Sequence, residues 1–319
     1  MCQQYRNPDL FAKQVIEDYV HRTPILTSSL LDEISGNTVF LKSEHLQKTG
    51  SFKIRGAANK VQQAVTEGAN FVTAASSGNH GQAVAYIANK LGVPATIVVP
   101  EDANEVKIAA IEAYKGNVVK CGTTSAERIP KAIELANENE GVFIPPYDDS
   151  YIIAGQGTLG LEILEQVSDI DIIVVPIGGG GLISGILTAV KQTIPHVKII
   201  GVEPDSANDT HLSLQMGAIT AIQPTSTIAD GLRTSQPGDL TFPILKEYLD
   251  DLVLVTEDEI KEAFQFLLER TKQIIEPSSA VTIAAILSGK LNVKGKRIVA
   301  VLSGGNVDLQ QVSEFLPKK

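Results

Sequence analysis

Seven short β-branched runs constrain this chain more than any other feature: NTVFLKS, ANFVTAAS, PATIVVP, GNVVKCG, DIIVVPI, VKIIGVE and KRIVAVLS. Several lack polar alternation, so both faces of the strand need cover. A parallel sheet flanked by helices supplies it. Helical stretches such as HGQAVAYIANKLG and LISGILTAVKQTI lie between the runs. This alternation predicts an α/β protein with mainly parallel sheets. The clearest helix is predicted over 257–272. Thr256 and Glu259 make a capping box, and Ile260, Ala263, Phe264, Leu267 and Leu268 recur at helical spacing.

Residues 70–146 hold three strand–helix units and end in the stiff turn IPPYDD. They are expected to form a small domain inserted into a large one built from 1–69 and 147–319. A length of 319 residues with 43% hydrophobic content suits that division.

The net charge of −10 argues against nucleic acid or an anionic membrane as partner. Cys2 and Cys121 give neither a disulfide framework nor a zinc spacing. The start, MCQQYRNPDLF, has no apolar signal core, and no apolar run approaches a membrane span. A soluble, cytoplasmic protein is expected.

Three glycine-containing loops follow strands. SSGNHG, residues 76–81, precedes a helix, where Ser, Gly and Asn can cap it and turn backbone N–H groups toward an anion. GGGG, residues 178–181, costs more conformational entropy than a plain turn warrants, and close backbone approach to an anion explains it better. SGGN, residues 303–306, directly follows RIVAVL. Ligands of open α/β sheets bind beyond the carboxyl ends of strands, so the three loops point to one phosphate-bearing ligand. A dinucleotide reading is also open: Gly179, Gly181 and Ser184 nearly match G-x-G-x-x-G, and Glu203 ends the next strand. It would make the chain a nicotinamide-dependent oxidoreductase. A fourth stretch, KTGSFKIRGA, places Lys53 between Phe52 and Ile54. Taken alone, its charges are either solvated or held for amine chemistry.

In this order along the chain, Lys53, SSGNHG, GGGG and SGGN resemble the fold-type II pyridoxal-phosphate (PLP) enzymes, and among them the serine/threonine dehydratase and serine racemase family. The resemblance runs from HRTPILTS to VLSGGNVD. It implies a tryptophan synthase β-like architecture, two open mainly parallel-sheet domains with PLP between them. It implies that Lys53 is the Schiff-base residue, that Phe52 packs on the pyridine ring and that Asn79 bonds the ring hydroxyl. Gly178, Gly179, Gly180, Gly181 and Leu182 are implied to hold the phosphate, and Ser303 to face the pyridine nitrogen. A hydroxyl there is a neutral partner and leaves the ring a weaker electron sink.

The activity implied is loss of water from L-serine or L-threonine type substrates, giving a 2-oxo acid and ammonia. Lys53 is the implied base. Ser77 matches the second-face acid/base of serine racemases, though a plain helix cap accounts for it equally well. Ser76, Ser77, Asn79 and His80 are implied to seat the substrate carboxylate. Arg128 matches an arginine near the racemase site, and Thr234 falls where racemases line the site with serine. Pro145-Pro146-Tyr147 departs from the His-Pro pair of many dehydratases and resembles members acting on threo-3-hydroxyaspartate. The loop EPDSAND offers oxygen donors suited to Mg²⁺ or Ca²⁺. The resemblance implies a divalent cation, Mg²⁺, Ca²⁺ or Mn²⁺, held by Glu203, the Ala207 carbonyl and Asp209. It also implies a homodimer. The chain ends soon after SGGNVD, so no isoleucine-responsive C-terminal domain is expected. A ligand-binding protein that kept the fold without catalysis is a further alternative.

Overall fold

The computed structural model describes residues 8–317. Cys2 lies outside them, and Cys121 is in no disulfide. The strands are β1 (Ile25–Thr27), β2 (Thr38–Ser43), β3 (Val72–Ala75), β4 (Ala95–Val99), β5 (Asn117–Lys120), β6 (Val142–Phe143), β7 (Ile172–Pro176), β8 (Lys198–Pro204), β9 (Asp251–Val255) and β10 (Arg297–Leu302). They build two sheets, ordered β1-β2-β10-β7-β8-β9 and β5-β4-β3-β6. Every pairing of these strands is parallel except β1 with β2.

All seven expected strands form. Their apolar runs are explained by cover on both faces. In β7, Ile172 and Val174 enter one core while Ile173 and Val175 enter another on the opposite face. In β10, Ile298, Ala300 and Leu302 face the first core, and Val299 and Val301 the second. Side chains of a strand alternate between faces, so both sets need apolar residues.

A third core surrounds the four-stranded sheet. It takes in Ile54, Ala57, Ala58 and Val61 from the helix Lys53–Thr66, and Ile16 and Ile152 from further helices. The helix that begins with Lys53 is therefore packed into the core of the smaller sheet.

The capping box at 256–259 is present: Thr256 Oγ1 accepts from Glu259 N, and Glu259 Oε2 accepts from Thr256 N at 2.7 Å. The helix runs from Glu257 to Phe266 and then widens into a π-helical segment, Leu267–Thr271. There the Thr271 hydroxyl donates to Leu267 O at 2.7 Å, and Lys272 turns left-handed at φ 60° to end it. Among the described residues, no helix is long and apolar enough to cross a membrane.

Candidate active site

Lys53 opens its helix where two loops are joined edge to edge. Phe52 N donates to Ser303 O at 3.0 Å, Gly305 N donates to Gly50 O at 2.8 Å, and Ser51 pairs with Gly304 as an isolated antiparallel bridge. Gly50 sits at φ +73°, and a Cβ there would lie 2.3 Å from Asn306 Oδ1, so only glycine allows this approach. The Lys53 Nζ donates to Pro146 O at 2.7 Å and lies 5.4 Å from the centre of the Phe52 ring. Burial lowers its pKa to about 8, against the opposing pull of Glu276. A larger share of this amine is thus unprotonated near neutral pH than for a solvated lysine, and that share can act as a nucleophile or base.

The SSGNHG loop joins β3 to the helix Asn79–Leu91. Gly78 occupies the N-cap position, and the Ser76 hydroxyl accepts from Gly78 N at 3.2 Å. Ser77 is half-buried and is not the N-cap. Gly81 is required by packing, because a Cβ would come within 2.2 Å of Ser76 O. His80 is buried, and its Nε2 lies 2.8 Å from Ile144 O. A carbonyl can only accept, so Nε2 carries the proton. Burial and then the Lys53 charge push His80 down to about 3, leaving it neutral. Asn79 Nδ2 donates to both oxygens of Glu276 at 3.0 Å, and Asn79 Oδ1 accepts from Asn306 Nδ2 at 2.7 Å. Burial, followed by the Asp230 charge, raises Glu276 to about 7.

The GGGG loop leads from β7 into the helix Gly181–Thr193. Gly180 is the N-cap, with φ +90°, a left-handed turn that a side chain would strain. The ring of Tyr147 lies on the loop: a Cβ on Gly179 would be 2.4 Å from it. Thr241 Oγ1 donates to Gly179 O at 2.8 Å and holds the peptide from outside. Leu182 is buried in the first turn. A helix N-terminus reached through side-chain-free backbone fits a phosphate. The same loop is tied to Lys53 through consecutive residues, since Pro146 accepts from the amine and Tyr147 covers Gly179. Ser303 is buried, its Oγ 3.1 Å from Ser279 Oγ. Phe52, Lys53, Asn79, Ser303 and the glycine loop are thereby brought to the carboxyl ends of strands in both sheets.

Glu203 and Asp209 form a separate, fully buried pair. Glu203 accepts from Thr210 N at 3.0 Å and His211 N at 2.9 Å, while Thr234 Oγ1 donates to both Asp209 oxygens at 3.3 Å. Burial, then the Asp209 charge, raises Glu203 to about 8, and burial raises Asp209 to about 7. Two acids held together with no ion-pair partner among the described residues fit a hard divalent cation, with the buried Ala207 between them in sequence. Among the described residues, no group of three or more His, Cys, Asp or Glu collects, so other donors would be carbonyls or water. Thr234 is thus directed at Asp209.

Arg128 stands in the first turn of the helix Ser125–Glu138. Its Nη2 donates to Ser125 Oγ at 3.2 Å, while Nε and Nη1 are buried with no hydrogen-bond partner among the described residues. Burial lowers its pKa, against nearby Asp102. None of its hydrogen bonds or ion pairs reaches Lys53, Ser77 or His80 among the described residues.

The two halves also meet along the helix Glu105–Ala113. Lys107 pairs with Asp230 at 2.6 Å. Asn104 caps the helix by accepting from Val106 N at 2.8 Å, and its Nδ2 reaches across to Asp308 at 2.9 Å. Sequence reasoning did not single out Glu276. The available signal was one acid in the otherwise uncharged run IIEPSSAVTIAAI.

A family model described as "Pyridoxal-phosphate dependent enzyme" matches residues 16–304. A serine racemase from Dictyostelium discoideum is 46% identical over 313 residues, covering 96% of this chain and 95% of that protein. An L-threo-3-hydroxyaspartate ammonia-lyase from Saccharomyces cerevisiae is 41% identical over 311 residues, covering 97% and 95%. The structure of maize serine racemase superposes with a TM-score of 0.93 at 39% identity, covering 96% of this chain and 95% of that one.

Proposed function

This chain belongs to the pyridoxal-phosphate-dependent enzyme family, and from that premise we propose that it removes water from serine- or threonine-type β-hydroxy amino acids, releasing a 2-oxo acid and ammonia. The observation that carries this reading is the Lys53 amine, lowered to about 8 and tied through Pro146–Tyr147 to the glycine loop. PLP, when bound, supplies the electron sink that makes an α-proton removable. The nicotinamide alternative gives way to the family match, and Glu203 is already bonded to two backbone N–H groups.

The chain's own residues have these roles in the proposal. Lys53 holds the cofactor and then takes the α-proton. Phe52 and Asn79 fix the ring, Ser303 faces its nitrogen, and Gly178 to Gly181 with Leu182 hold the phosphate. Ser76, Asn79 and the 76–81 backbone seat the substrate carboxylate beside a neutral His80. Ser77 returns a proton on the opposite face, which would make racemisation of serine a second activity. Glu203, Ala207 and Asp209 hold a divalent cation away from the substrate. The site lies between a large domain, 1–69 with 147–319, and a small one, 70–146, except that the Lys53–Thr66 helix packs with the small one's sheet. A cytoplasmic homodimer is part of the same reading.

A second reading, action on threo-3-hydroxyaspartate, is favoured by Pro145-Pro146-Tyr147 and by Arg128, whose unpartnered Nε and Nη1 could receive a second carboxylate. One experiment separates these possibilities: a proton NMR time course in D₂O with PLP, Mg²⁺ and L-serine, L-threonine or threo-3-hydroxyaspartate. Pyruvate or 2-oxobutyrate is expected. Exchange of the α-proton in unreacted serine, with D-serine appearing, would mark racemisation. No turnover of any of the three would overturn the enzymatic reading in favour of binding alone.

A further inference from the structure

Asn79 is held by an unbroken chain of oriented hydrogen bonds. It starts at a backbone carbonyl, Thr49 O, which can only accept. Asn306 Nδ2 donates to it at 2.8 Å, which fixes the Asn306 amide. The same Nδ2 donates to Asn79 Oδ1 at 2.7 Å, which fixes the Asn79 amide in turn. Asn79 Nδ2 must then point the other way, and it meets Glu276 at 3.0 Å from each oxygen. A flipped Asn79 would set N–H against N–H at one end and oxygen against a carboxyl at the other.

The partners come from opposite sides of the cleft. Asn79 opens a helix next to the small sheet, whereas Glu276 precedes the helix Pro277–Leu287 and Asn306 follows β10. Glu276 is itself fixed: its N–H donates to Gly304 O at 3.1 Å, and its carboxyl lies so close to Gly304 that a Cβ there would come within 2.8 Å of Oε1. An amide nitrogen has two hydrogens. The Glu276 oxygens belong to one carboxyl and lie in nearly one direction from it, so they occupy one hydrogen between them. Among the described residues the Asn79 nitrogen donates to no other side chain, leaving the second hydrogen for a ring oxygen.

We propose that Glu276 is a positioning residue, which holds the Asn79 amide so that one N–H is presented to the cofactor ring. The proposal rests on the PLP reading above. Without Glu276, half of the restraint on the amide is gone and Asn79 can rotate away from the ring.

The test compares E276A, E276Q and N306A with the parent holoenzyme, by PLP equilibrium dialysis and by the visible absorption band against pH. Glutamine keeps an acceptor oxygen for Asn79; alanine keeps none. E276A is expected to weaken PLP binding about tenfold, the scale of losing one buried hydrogen bond, and to shift the band. E276Q is expected to stay within about threefold of the parent. Unchanged affinity and spectrum in E276A would overturn the proposal. So would an E276Q as impaired as E276A, because charge rather than an acceptor would then be the requirement. Should E276A not fold, N306A removes the other hold on Asn79, and the same tenfold loss or its absence decides the matter. A parent protein that takes up no PLP at Lys53 would instead sink the reading on which the proposal rests.

Discussion

Arg55 and Glu44 form a two-pronged ion pair with neither side chain exposed, Nε to Oε2 at 2.7 Å and Nη2 to Oε1 at 2.9 Å. Glu162 grips the same guanidinium from another side at 2.8 and 3.0 Å and is shared with the buried Lys42. Burial disfavours the charge on Arg55, but the two glutamates outweigh it and raise its pKa. Removing one partner strands the other charges out of water. Arg55→Met is expected to cost about 3–5 kcal/mol in urea unfolding. Arg55→Lys should also destabilise, because one ammonium cannot replace the fork.

Lys53 lies two residues earlier on the same helix, and its lowered pKa makes cofactor capture pH-dependent. Below about 8 the amine is mostly protonated, so its nucleophilic fraction grows as pH rises. The rate of PLP uptake by apoprotein should climb about tenfold per pH unit on the acid side and level off above that value. Stopped-flow absorbance would follow it. Lys53→Ala should leave no adduct that borohydride can fix.

Glu203 and Asp209 carry a cation prediction with a definite sign. Their folded-state pKa values lie above the usual carboxylate range. Without metal, their contribution to stability is present at acid pH and lost as pH rises through about 7 to 8. Added Mg²⁺ or Ca²⁺ should therefore raise the melting temperature more at pH 8.5 than at pH 5.5. At a cation concentration a hundredfold above Kd the gain is about 2.7 kcal/mol. Asp209→Asn should abolish it.

Gly179→Ala tests the cover over the glycine loop. The new methyl would meet the Tyr147 ring, so either the ring or the loop must move. Weaker PLP binding in equilibrium dialysis is expected, and Tyr147→Ala in the same chain should restore part of it.

The two-faced apolar runs made the α/β class and the seven main strands legible. The three strands that were not singled out are of other kinds: β1 is a three-residue antiparallel edge, β6 has two residues, and β9 alternates in burial at the opposite edge of the large sheet. The glycine loops were readable because such backbone demands leave a local mark, whereas the reading of Lys53 came only from its order with those loops along the chain. Glu276 left only its place as one acid in an uncharged run, and Arg55 left no sign of its partners. Each acts through partners far off in sequence, Asn79 for one and Glu44 and Glu162 for the other, and only the folded chain brings them together. The role of the Lys53–Thr66 helix in covering the smaller sheet was hidden for the same reason.

The Lys107–Asp230 and Asn104–Asp308 contacts set how firmly the Glu105–Ala113 helix is held to the rest of the chain. The Lys107 pair is partly exposed, 31% and 43% at its side chains, and pairs of this kind contribute about 0–1 kcal/mol. Thermal agitation alone is enough to part it. The ionic contact between the Glu105–Ala113 helix and Asp230 is thus a weak one that loosens as salt screens it, while the Asn104–Asp308 bond remains.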